Sequence, residues 1–178
     1  MRRAFLLLCL LTLVATPMLP HARAATDEKP IQIALWNPVQ IFPEETSVKG
    51  FRLSLLYGLN KDVKGLDLGI VSRTTGVCKG LQYGAVGIVG GEMHGWQAHW
   101  INMTAVKMYG LQSGLFNQTA GGEGVQFGWV NVADSFSGLQ LGLYNQTQTM
   151  NGLQIGILNV IMKAKSHSIL PIVNWTFD

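Results

Sequence analysis

The chain has 178 residues, one domain's worth of material, and a formal net charge of +3. Arg2, Arg3 and Arg23 account for that whole excess, so the basic balance belongs to the first segment and nothing points to nucleic acid as a partner. Charged residues make up only 13% while Gly numbers 21, a composition of tightly packed strands or a membrane barrel rather than of a soluble helical protein.

In chain order the first predicted element is a targeting segment. Arg2 and Arg3 form a basic start, Ala4 to Ala15 is an apolar run, and Ala22-Arg23-Ala24 gives the small-x-small pattern of a signal-peptidase site. The run is too short to span a bilayer, so residues 1–24 read as a secretory signal cleaved after Ala24. Cys9 lies inside the run rather than after small residues at its end, so lipidation is not expected. No second apolar run of about 20 residues follows. Residues 25–178 form a single all-β repeat domain whose only cysteine is Cys78, so no internal disulfide is expected.

An eight-residue phrase, Gly-apolar-Gln-x-Gly-apolar-x-Asn, then recurs through residues 48–166. Its anchors are Gly50, Gly65, Gly80, Gly95, Gly110, Gly124, Gly138 and Gly152, spaced by 15 residues and later by 14. Pro30 to Asn37 is a weaker first unit, separated from the next by the loop Pro38 to Lys49, and His167 to Asn174 is a weaker last one. The total is about ten small units stacked on one another. The first, third and fifth residues after each anchor are mostly apolar, as in Leu139, Leu141 and Leu143, while Gln and Gly alternate with them. That period of two is a strand, and frequent glycine disfavours a helix.

Two architectures satisfy the pattern. In a β-solenoid, equal positions of successive coils lie about 4.8 Å apart, and Gln and Asn form stacked amide ladders. The small residue after the Asn (Thr119, Ala133, Thr147) and the apolar residue two before the next anchor (Val63, Cys78, Met93, Met108, Phe136) point inward. Arg52 and Asp67 fall in the Gln column of consecutive units and would stack as an exposed ion pair, worth about 0.2–1 kcal/mol. The alternative is a ten-stranded antiparallel outer-membrane β-barrel, with apolar residues toward lipid and a Gln-lined lumen. The Lys column of Lys49, Lys64 and Lys79 and the alternating end Ile169 to Phe177 favour it. The uniform direction of every unit, apolar residues before the Asn such as Val71, Val86 and Ile101, and loops without short-long alternation favour the solenoid.

The units Gly138 to Asn145 and Gly152 to Asn159 resemble the bacterial surface-repeat family first noted in spirochaetes and found in exported proteins of many Gram-negative bacteria. Leu170 to Trp175 is similar to segments that follow such repeats. The resemblance covers roughly residues 48–178 and implies an exported, surface-associated protein without implying any chemistry. The units at Gly50 and Gly95 depart from the pattern, with Ser54 and His99 in place of the second Gly and Tyr57 in place of an Asn.

Chemistry-bearing residues are few. Glu92, His94 and His99 are the one cluster of metal-ligand types, but residues five apart on a strand face opposite ways, so no metal site is expected. Gly121-Gly122-Glu123-Gly124 lacks the Lys-Ser/Thr of a phosphate loop and reads as a tight turn. Cys78 stands in a column of Val, Met and Phe and reads as a buried hydrophobe. Asn102, Asn117, Asn145 and Asn174 open Asn-x-Thr triplets that read as turn and ladder residues. Trp96, Trp100, Phe116, Trp129 and Tyr144 read as core or membrane belt.

No catalytic residue and no cofactor is expected. The expected function is a non-enzymatic surface or envelope protein with a structural or adhesive role toward an unknown envelope partner. The second reading is a small outer-membrane barrel. The candidate interaction face is the Gln column, Gln82, Gln97, Gln112, Gln126, Gln140 and Gln154, taken as solvent-facing.

Overall fold

The computed structural model describes residues 28–164 and 168–177, and the secretory-signal reading of residues 1–24 lies outside them. The strands are β1 (Glu28–Trp36), β2 (Val39–Gln40), β3 (Ser47–Asn60), β4 (Val63–Thr74), β5 (Cys78–Val89), β6 (Met93–Leu141), β7 (Tyr144–Ile161) and β8 (Ile169–Thr176). They wind as a β-solenoid of about nine coils, the first of the two architectures. β1 and β3 to β7 pair in parallel, in chain order, with anchor over anchor: Gly50 on Gly65, Gly65 on Gly80, Gly80 on Gly95 and Gly138 on Gly152. Parallel neighbours rule out the antiparallel barrel for this chain. β6 runs unbroken through the anchors Gly95, Gly110, Gly124 and Gly138, because each corner is turned without leaving extended backbone.

The corner explains the anchor. φ at the eight anchors runs from 123° at Gly110 to 149° at Gly152, a region closed to side chains. A Cβ on Gly124 would also stand 2.1 Å from the carbonyl oxygen of Gly110 in the coil before. Two residues ahead of each corner, Val48, Val63, Cys78, Met93, Met108, Phe136 and Met150 enter the interior and join Val89, Ala133 and Ile161 in one buried cluster. Gly122 breaks this column, and the Phe136 ring fills the space it leaves, 3.2 Å from where its Cβ would be. Gly121 to Gly124 accordingly lie in extended β6 backbone, not in the expected tight turn.

The two ends differ from the expected units. From Ile31 on, past a one-residue register shift, β1 stacks on β3 with Gln32 over Arg52, as the weak first unit requires. The last unit is not a coil. β8 runs antiparallel to β7, with Asn174 opposite Gln154, and closes the end as a cap. Pro171 and the positive φ of Ile172 (68°) roughen its outer edge, while the two-residue β2 blunts the other. Open strand edges invite further strands, and both ends are guarded in this way.

Candidate interaction surface

Inside the coils lie the amide columns. Gln32, Gln82, Gln97, Gln112, Gln126, Gln140 and Gln154 are all 0% exposed, as are Asn102, Asn117, Asn131, Asn145 and Asn159. The expected solvent-facing Gln face (Gln82, Gln97, Gln112, Gln126, Gln140, Gln154) is therefore interior. A Gln ladder satisfies its own amides coil by coil, leaving only the Oε1 of its last member, Gln154, without a partner, so burial costs it little. From Gln97 onward each Gln Nε2 donates to the Oε1 one coil earlier: Gln97 to Gln82 at 3.1 Å, Gln112 to Gln97 at 2.8 Å, Gln126 to Gln112 at 2.8 Å, Gln140 to Gln126 at 2.6 Å and Gln154 to Gln140 at 2.7 Å. The Asn ladder runs the other way, with Asn102, Asn117, Asn131 and Asn145 each donating to the next coil's Oδ1 at 2.8 Å.

The Asn ladder accounts for the second glycine of the phrase. Each Asn Nδ2 also donates to a backbone carbonyl just ahead of that glycine, as Asn131 does to Leu141 at 2.9 Å. A Cβ on Gly128, Gly142 or Gly156 would lie 2.5–2.7 Å from the Asn Nδ2 of the preceding coil. Where His99 replaces this glycine, Gly87 stands in the Asn column one coil earlier, and a Cβ there would lie 2.4 Å from His99 Nδ1. The imidazole fills the place of the missing amide. Burial lowers its pKa to about 4 even though it hydrogen-bonds Asn102 at 3.1 Å, so the ring is neutral at pH 7.

The Gln ladder ends on a carboxylate. Gln82 donates to Asp67 Oδ2 at 2.8 Å, and Arg52 closes a bidentate pair with Nε–Oδ1 at 2.7 Å and Nη2–Oδ2 at 2.6 Å. Both side chains are 0% exposed, so the expected exposed pair is a buried one. Every amide in the ladder aims its N–H end toward Asp67, and an acceptor carrying negative charge suits that end. Arg52 also donates to the Arg73 carbonyl at 2.9 Å. In the same coils a register shift after Ser54 brings Gly58, not Tyr57, into the Asn column.

The remaining candidates separate. His94 sits at the rim, 3.0 Å from Glu92 and stacked on Tyr109, while His99 is inside. Among the described residues no group of three or more His, Cys, Asp or Glu comes together. Cys78 is buried, and burial pushes its thiol up to about 12, far from a nucleophile's range. Lys49, Lys64 and Lys79 do stack in one column. Glu28 relieves the repulsion, 2.7 Å from Lys64 and 3.7 Å from Lys49; its hydrogen bond to Lys64 holds its carboxyl below the usual range and raises Lys64.

With amides inside, the apolar columns face out. Trp100 is 68% exposed, Trp129 62%, Tyr83 60% and Phe127 59%; Leu66, Ile70, Trp96, Leu115, Leu143, Ile155 and Ile157 join them. The tryptophans are therefore outer-face residues, not core, while Phe116 and Tyr144 are half-buried. β1 (Ile31, Ile33, Leu35) and β8 (Val173, Trp175) prolong the face at either end. Its three columns carry no charged side chain among the described residues. No family model, curated protein or solved structure matches the chain. The inside-out assignment had one signal in the sequence. The Gln column is nearly uniform along the chain, while the third position after the anchor varies through Leu, Tyr, Ala, Ser and Phe, the tolerance of a side chain with no fixed neighbour.

Proposed function

We propose that this protein is a non-enzymatic, exported scaffold of the cell envelope with a structural or adhesive role, and that it works through its apolar strand face. One observation carries the reading: a charge-free apolar face crosses every coil and holds exposed Trp96, Trp100, Trp129 and Trp175. Monomeric soluble proteins rarely leave apolar patches above about 300–600 Å² in water, and larger ones mark interaction sites. Aromatic side chains are the usual anchors of such sites. Export is supported by the leader-like residues 1–24 and by the likeness of the Gly138 and Gly152 units to exported surface repeats.

The test is fractionation after expression with the native leader in a Gram-negative host. The wild-type chain is expected in the envelope fraction. A Trp100→Lys/Trp129→Lys variant with unchanged circular dichroism is expected in the soluble fraction. Identical distributions for the two would remove the apolar face from the account.

A further inference from the structure

An apolar working face needs a cover; the identity of that cover rests on the scaffold reading, with envelope retention then a property of the paired form that the face holds together. We propose that the occupant is a second copy of the same chain, packed face to face about a two-fold axis parallel to the strands. From β1 to β8 the face has ten strands about 4.8 Å apart, so it is about 43 Å long. Its three outward columns span about 13 Å, and with side-chain margins the face covers roughly 600–800 Å². A stable interface buries about 800 Å² per partner, and flat sheets stack about 10 Å apart.

The sequence along the face fits its own image under that axis. The midpoint of ten strands falls between the coils of Gly95 and Gly110. A two-fold there reverses coil order and lays each column on itself. One small residue then meets a large one, and elsewhere residues of like size pair. Ala85 lies opposite Trp129 of the partner subunit, and Ala98 opposite Ser113 of the partner subunit between Trp96 and Trp100. Tyr83 lies opposite Phe127 of the partner subunit. Charge at the anchor corner that borders the face fits as well. In the column just before the anchors, Lys79 lies opposite Glu123 of the partner subunit, the one carboxylate in that column. Lys49 and Lys64 lie opposite Asn151 and Ser137 of the partner subunit, so no lysine meets a lysine. Closed two-fold pairing also agrees with ends that are capped against further strands.

Sedimentation equilibrium of the purified mature chain tests this. The wild type is expected to be a dimer at micromolar concentration, and Trp129→Lys a folded monomer. Lys79→Glu and Glu123→Lys should each weaken the dimer about tenfold, since two pairs are lost per dimer and two repulsions gained. The Lys79→Glu/Glu123→Lys double variant should restore affinity to within about threefold of wild type. A wild-type monomer overturns the proposal, and so does a dimer that Trp129→Lys leaves intact. A double variant no tighter than the singles overturns it too, because the register is then wrong. A monomer that co-sediments with phosphatidylglycerol vesicles overturns it in favour of a lipid surface. In that case the apolar face remains the interaction surface and only its occupant changes.

Discussion

Each residue type in the repeat answers one local demand. The anchor glycine turns a corner that no side chain can follow, and its neighbour in the preceding coil leaves no room for a Cβ. Gly138→Ala should therefore cost about 3 kcal/mol or more, from backbone strain plus the clash with the Gly124 carbonyl 2.1 Å away. Urea unfolding by circular dichroism measures it; a loss under about 1 kcal/mol would mean the corner relaxes freely. His99 offers a pH test. Its folded pKa of about 4 lies below the ordinary 6.5, so the unfolded chain binds the extra proton between those values. Stability should fall as pH drops from 6.5 to 4, and His99→Gln should flatten that slope. Parallel slopes for the two proteins would show that His99 is not held neutral. The role of His99 was hidden in the sequence, because its partner is a missing side chain, Gly87, in another coil.

At the scale of the strand and its stack, the amide ladders hold the coils in register and the ion pair terminates one of them. Asp67→Asn leaves Arg52 buried without a counter-charge and should destabilise by about 3–5 kcal/mol. Replacing both members, Arg52→Gln with Asp67→Gln, simply extends the Gln column from Gln82 toward Gln32 and should recover most of that loss, since buried pairs are often close to neutral against well-packed replacements. A double variant as unstable as Asp67→Asn alone would show that the ladder tolerates no Gln in these coils. Parallel stacking was legible in the sequence, because every unit reads in one direction and the Gln and Asn columns then align. β8 was not. Ile169 to Asn174 keeps the apolar spacing of a unit, and spacing alone does not tell another parallel strand from an antiparallel cap.

At the scale of the whole molecule the unusual feature is the distribution of polarity. Period two along a strand says that two faces differ, and it leaves open which of them is covered. The expectation that Gln faces water failed because stacked amides supply one another with partners, which no single strand reveals. Once they are inside, the apolar columns have nowhere to go but out. The interaction surface follows from that inversion, and so does its test by substitution.

The most direct measurement compares two lysines placed three residues apart in one strand. Thermal unfolding and envelope fractionation are measured for Gln126→Lys and for Trp129→Lys. The account predicts that Gln126→Lys, which breaks the buried ladder between Gln112 and Gln140, is unfolded or severely destabilised. It predicts that Trp129→Lys stays folded, its unfolding temperature lowered only by the lost pairing, and leaves the envelope. A stable Gln126→Lys protein that loses its envelope association, beside an unfolded Trp129→Lys, would put the Gln column back on the surface and contradict the account.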